Sequence, residues 1–236
     1  MRFALLALCF FTGAVFAQDS RRSGYEFMSR ETQAMQDDEL TGPAAIWLLD
    51  GEALWRRDCA SCHQAGMNGV AARYPAVHKG KLVNLEQRIN LCRVEQQKAP
   101  ALAYESRDLL ALTAYVGRQS RGLPIAVEES KPFLEAGRSF FHRRQGQLNL
   151  SCTQCHDDNW GKKLAGSTIP QAHPTGYPLY RLEWQGVGSL QRRLRNCLTG
   201  MRAENYAFGA PELVEVELYL MWRARGMKLE SPAVRP

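Results

Sequence analysis

Between Ala44 and Arg57 the apolar side chains Ile46, Trp47, Leu49, Ala53 and Leu54 recur at the three- and four-residue spacing of an amphipathic helix. The period returns over Leu82–Glu95, and over Ser106–Val116 with Leu109, Leu110, Leu112, Ala114 and Tyr115, where Gly117 is expected to stop it. Further on, Lys131–Gln145 shows it through Phe133, Leu134, Ala136, Phe140 and Phe141, and Pro211–Arg225 through Leu213, Val216, Leu218, Tyr219, Leu220 and Trp222. A shorter helix is expected over Gln191–Cys197. Gln64–Gly80 and Gly161–Gly186 are rich in glycine and proline and read as loops. Residues 18–45 are polar and mixed in charge, an N-terminal extension with one or two helical turns. The chain is therefore expected to be mainly α.

The two groups of helices match each other by spacing. Arg88 precedes Cys92 by four residues, and Arg193 precedes Cys197 by four. Tyr115 follows Cys92 by 23 residues and Tyr219 follows Cys197 by 22. Two copies of one unit explain these matches. The expected layout is an extension (18–45), a first unit (46–121), a linker (122–130) and a second unit (131–236).

The amino terminus changes the compartment. Arg2 is followed by an uncharged apolar run from Phe3 to Phe11 and by small residues ending at Ala17. This predicts a signal peptide over residues 1–17, cleaved before Gln18, and a mature protein in the periplasm. The run is too short for a stable membrane span. Cleavage removes only Arg2 from the charge, so the net +6 becomes +5. A surplus of that size suits anionic ligands or an acidic partner, and no nucleic-acid motif accompanies it.

Cleavage also removes Cys9 and leaves six cysteines. Four of them stand in Cys59-Ala60-Ser61-Cys62-His63 and Cys152-Thr153-Gln154-Cys155-His156, two C-x-x-C-H signatures of covalent haem attachment. Each follows an amphipathic helix, as in a class I cytochrome c domain. The expected architecture is two tandem class I cytochrome c-like domains holding two haem c groups, with Cys59, Cys62, Cys152 and Cys155 bonded to haem and His63 and His156 on iron.

Cys92 and Cys197 occupy equivalent places, about where a cytochrome c supplies its second iron ligand. The first unit has no methionine between Met67 and Gly117, so cysteine at both irons is the preferred reading. A Cys92–Cys197 disulfide, Met201, or the loop histidines His78 and His173 are the alternatives. Around Cys197 lie Arg192, Arg193, Arg195 and Arg202. Arg193 shares a helix face with Cys197, and guanidinium forks suit oxyanions. Arg193 and Arg202 are the leading candidates for binding an anion, and Cys197 for the sulfur chemistry.

These motifs, with Arg88-Ile89-Asn90-Leu91-Cys92-Arg93 and Arg193-Leu194-Arg195-Asn196-Cys197, resemble the SoxA family over essentially the whole mature chain. The resemblance implies the di-haem subunit of a SoxAX heterodimer, an L-cysteine S-thiosulfotransferase. It implies that thiosulfate is oxidatively joined to a cysteine of the SoxYZ carrier, with electrons leaving through c-type haems and onward through a mono-haem SoxX subunit. Carried over by position, Cys197 would be the active-site iron ligand, found in the family as a persulfide, and Arg193 the adjacent anion-binding arginine. The alternatives are a thiosulfate dehydrogenase that forms tetrathionate and a di-haem electron carrier with no enzymatic activity.

Overall fold

The computed structural model describes residues 19–236; the signal peptide expected over residues 1–17 lies outside them. The extension contains a 3-10 turn (Gly24–Phe27) and helix α1 (Arg30–Asp37). The first unit follows: α2 (Ala45–Asp58), the antiparallel strands β1 (Ala76–His78) and β2 (Lys81–Val83), α3 (Leu85–Glu95) and α4 (Arg107–Arg118). The second unit begins with α5 (Lys131–His142) and the short α6 (Cys152–His156), then a small hairpin of β3 (Lys163–Leu164) and β4 (Ser167–Thr168). It continues with β5 (Leu179–Arg181), β6 (Gly186–Gly188), α7 (Leu190–Gly200), α8 (Pro211–Arg223) and β7 (Ala233–Arg235). The fold is mainly helical, as expected.

The differences from the sequence reading have local causes. The helix expected from Leu82 starts at Leu85, because the Asn84 side chain accepts from the Gln87 amide at 2.9 Å and caps it. Gly117 lies inside α4 instead of ending it. It is there because Ser231 crosses the helix: a Cβ on Gly117 would stand 2.4 Å from the Ser231 hydroxyl. The segment read as loop from Gly161 to Gly186 supplies strands, and β5 pairs antiparallel with β6 and parallel with β7. The linker is packed into the core, with Ile125 and Val127 buried.

Each unit is built on one close helix crossing. A Cβ on Gly51 of α2 would lie 2.1 Å from the Ala111 carbonyl of α4, and one on Gly137 of α5 would lie 2.0 Å from the Glu215 carbonyl of α8. Four residues beyond each glycine is an aromatic ring, and four beyond each carbonyl is a tyrosine. Trp55 meets Tyr115 at 5.8 Å between centroids and Phe141 meets Tyr219 at 5.4 Å. The repeat inferred from Tyr115 and Tyr219 is thus a repeated helix crossing.

Between the units lies a buried polar cluster. Glu86 of α3 and Glu217 of α8 border a cavity of about 60 Å³ together with Asn84 and Thr113. Burial pushes the Glu86 carboxyl up to about 7, with Glu105 acting in the same direction. Burial and the neighbouring Glu86 raise Glu217, against hydrogen bonds from Asn84 and Gln191. A carboxyl raised in the folded state favours folding fully only below its unfolded value, and the benefit is lost as pH climbs through the folded value. Glu86→Gln is therefore expected to stabilise the protein at pH 8 by on the order of 2 kcal/mol and to change little near pH 4. Thermal melts at the two pH values check this; an equal shift at both would show that the carboxyl is not held neutral.

Candidate active site

Helix α7 arises from a Ser189 cap, whose hydroxyl accepts from the Arg192 amide at 3.1 Å. Cys197 lies eight residues past Ser189, as Cys92 lies eight past Asn84 on α3. The helical period then sorts the arginines. Arg193 and Cys197, one turn apart, line the same cavity of about 540 Å³. Arg192 faces elsewhere, stacked 4.4 Å over Trp184 and 3.8 Å from Glu105. Arg195 stacks on Phe208 and donates to the Tyr206 carbonyl. Arg202 does not join the site: α7 ends at Gly200, and Arg202 turns the chain in the left-handed region (φ 53°) with its side chain in solvent. It is removed from the anion-binding candidates.

Cys152 and His156 border the same cavity as Cys197. His156 donates from Nδ1 to the Pro170 carbonyl at 2.7 Å. That bond holds the ring by Nδ1 and turns Nε2, the nitrogen a metal would bind, toward Cys197. Burial alone would push the Cys197 thiol up; a hydrogen bond from His156 and the charges of Arg193, His156 and Arg181 outweigh it and hold the thiol below its usual range. The motif cysteines behave oppositely. Burial, with Cys197 nearby, pushes Cys152 up to about 12, and Cys155 is raised by the same causes. The surroundings thus favour the anionic form at Cys197 and the neutral form at Cys152 and Cys155. A C-x-x-C-H set, a histidine oriented through Nδ1 and a cysteine whose surroundings favour the thiolate, around a cofactor-sized cavity, fit a haem c that Cys152, Cys155, His156 and Cys197 would hold.

The first unit assembles the corresponding donors. Burial, then the neighbouring Cys92 and Asp58, pushes the Cys59 thiol up to about 11. Asp58 accepts from Arg93 at 3.0 Å, tying the end of α2 to α3 beside Cys92. Cys59 and Cys92 are close enough for one to act on the other, and Cys62 is exposed; with His63 they are the residues that would hold a second haem. Cys92 and Cys197 are both free thiols, so the disulfide alternative is not formed. His78 lines a separate groove with α3, away from the attachment residues, and His173 donates to the Arg22 carbonyl at 3.0 Å.

Two residues of the site were missed from sequence. Tyr177 and Arg181 border the same cavity, on the segment read as loop. Tyr177 lies just before β5, and the one local signal is the two-residue step from Leu179 to Arg181, which puts those two on one face of the strand. Burial raises the Tyr177 phenol, while the charges of Arg193 and Arg181 act to lower it. The extension closes the cavity from another side through Phe27 and Met28. It is held there by Phe27 against Trp160, with ring centroids 6.3 Å apart, and by Gln36, which accepts from the Val234 amide at 3.1 Å.

Comparison with known proteins agrees with this architecture. A family model described as the SoxA/TsdA cytochrome c domain matches residues 50–125 and 136–229. The L-cysteine S-thiosulfotransferase subunit SoxA of Pseudaminobacter salicylatoxidans is 33% identical over 233 residues, covering 92% of this chain and 82% of its own. The corresponding subunit of Rhodovulum sulfidophilum is 34% identical over 232 residues, covering 92% and 81%. A chain of the crystal structure of SoxXA from P. pantotrophus superposes with a TM-score of 0.87 at 31% identity, covering 92% of this chain and 87% of that one.

Proposed function

The chain belongs to the SoxA/TsdA cytochrome c family, and we propose that it is the di-haem SoxA-type subunit of an L-cysteine S-thiosulfotransferase. Its relatives carry that enzyme name. In the proposed reaction the sulfane sulfur of thiosulfate forms an S–S bond with a cysteine sulfur of a SoxYZ-type carrier. The thiol proton is released and two electrons leave. Haem c groups held by Cys59, Cys62, His63 and Cys92, and by Cys152, Cys155, His156 and Cys197, would take electrons one at a time. A mono-haem SoxX-type partner in a heterodimer would receive them, in the periplasm, after export through residues 1–17. No helix among the described residues is long and apolar enough to cross a membrane.

One observation supports this reading most. Arg193 lines the cavity beside Cys197 without an ion-pair or side-chain hydrogen-bond partner among the described residues. A half-buried, unpaired guanidinium carries a desolvation cost that an arriving anion would offset. Here the anion would arrive next to a sulfur whose surroundings favour the thiolate. Joining that sulfur to the sulfane sulfur of intact thiosulfate, with two electrons leaving, would give an S–S bond that the carrier thiolate exchanges, taking the thiosulfate group and releasing the Cys197 thiolate. Arg193→Ala is expected to raise the KM for thiosulfate roughly ten- to a hundredfold, the worth of a charge-assisted hydrogen bond, with the haem spectrum unchanged. The test uses the holo-heterodimer, thiosulfate, carrier and an electron acceptor. Unchanged thiosulfate kinetics would remove Arg193 from the site, and tetrathionate formed without carrier would give the thiosulfate dehydrogenase reading instead.

A further inference from the structure

Besides His156, five cationic or titratable nitrogen side chains border the cavity at Cys197: Lys163, His173, Arg181, Arg193 and Arg235. Their partners separate them. Arg235 is neutralised in place, 2.5 Å from Glu230, and also bonds Gln36. Lys163 is exposed on the β3–β4 hairpin. His173 has its Nδ1 committed to the Arg22 carbonyl. Arg193 has no side-chain partner, as above. Arg181 is intermediate and informative: only its Nε is used, bonded to Glu183 at 2.8 Å. Neither Nη1 nor Nη2 has a protein acceptor among the described residues.

Arg181 is also held rigidly for a long side chain. It sits at the end of β5, between β6 and β7, and in register with Arg235. Its side chain is only 12% exposed, and its guanidinium lies 5.5 Å over the Trp184 ring. The Nε bond to Glu183 and the stacking orient the fork while leaving its far edge open. Glu183 is itself 61% exposed, so solvent screens its charge, and the partly paired arginine keeps a net pull on an anion.

We propose that Arg181 is a second substrate-binding residue, which with Arg193 forms a two-arginine clamp for the sulfonate end of a sulfur oxyanion whose sulfane sulfur is aimed at Cys197. This deepens the function proposed above and rests on it. A sulfonate has three oxygens in a pyramid, more than one planar fork can engage; two forks from different elements, α7 and β5, can grip it from two sides. Holding the oxidised end fixes the direction of the reduced one, which is the part that must meet sulfur. The clamp selects for compounds with a terminal oxyanion group and gives no grip on hydrosulfide, which lacks one.

The experiment compares wild type, Arg181→Gln and Arg181→Lys in the holo-heterodimer with carrier. Arg181→Gln is expected to raise the KM for thiosulfate about tenfold, with kcat changed less than about twofold. Inhibition by inorganic sulfate should weaken by a similar factor. Arg181→Lys keeps the charge without the fork and should recover only part of the loss. Calorimetric titration of resting protein with sulfate gives a readout that needs no turnover. A KM within twofold of wild type in Arg181→Gln, or a shifted haem spectrum and potential without a change in KM, would overturn the clamp. Absence of carrier-dependent turnover in wild type would instead overturn the proposed function, so the two failures are distinct.

Discussion

Replacing Cys197 with methionine is expected to leave haem attached in both units and to lower thiosulfate-dependent turnover by roughly three orders of magnitude. In the proposed reading attachment would depend on Cys152 and Cys155, which lie on α6 and not on α7. Methionine still offers a sulfur at this position, so a protein ligand for the iron would remain. What is lost is chemical. A thioether cannot ionise, and so cannot use the hydrogen bond from His156 and the charges of Arg193 and Arg181 that favour a thiolate at Cys197. It also cannot form an S–S bond. The spectrum of the second haem should move from thiolate to thioether ligation, and its potential should rise. Turnover close to wild type in a variant with that altered spectrum would show that the sulfur chemistry bypasses Cys197. Comparing turnover with haem content separates this result from a folding defect.

The readable part of this site was its covalent and helical part. C-x-x-C-H places three groups within about one helical turn, and the four-residue step from Arg193 to Cys197 fixes a shared face. Both are local, and sequence spacing encodes them directly. The same rule separates Arg192 and Arg195 from that face, so counting arginines overstated the cluster while the helical period already divided it. Arg202 failed for another reason: the helix ended before it, and end positions are set by backbone reversals that apolar periodicity does not mark. Arg181 stands on β5, which is held between β6 and β7, the latter from the far end of the chain, and Tyr177 lies just before it. A three-residue strand stabilised by a partner more than fifty residues away leaves almost no local signature. The covering of the cavity by Phe27 and Met28 is non-local in the same way.

Gly137→Ala is the substitution expected to cost most stability. In an ordinary helix interior this change stabilises by about 0.5–1 kcal/mol, because alanine loses less backbone entropy on folding. Gly137 reverses the sign. Its Cβ would stand 2.0 Å from the Glu215 carbonyl oxygen and 3.0 Å from the Tyr219 Cβ. The first is backbone, which cannot swing aside as a side chain can, so α5 and α8 must separate. That loosens the Phe141–Tyr219 contact and disturbs a core that includes Leu134, Leu213, Val216 and Leu220. Overpacking of this kind costs about 3 kcal/mol, which is a drop in melting temperature of roughly 6–12 °C for a chain of this size. Gly51→Ala should fall by a similar amount, since its Cβ would meet the Ala111 carbonyl at 2.1 Å. The two variants should differ in function. Phe141, Val216 and Leu220 line the cavity at Cys197, whereas α2 and α4 contribute nothing to its walls. Gly137→Ala should therefore also lower haem content and raise the thiosulfate KM, while Gly51→Ala should leave that KM near wild type in the folded fraction. A melting temperature at or above wild type for Gly137→Ala would mean that the helices do not cross as closely as the repeated glycine–aromatic pattern requires.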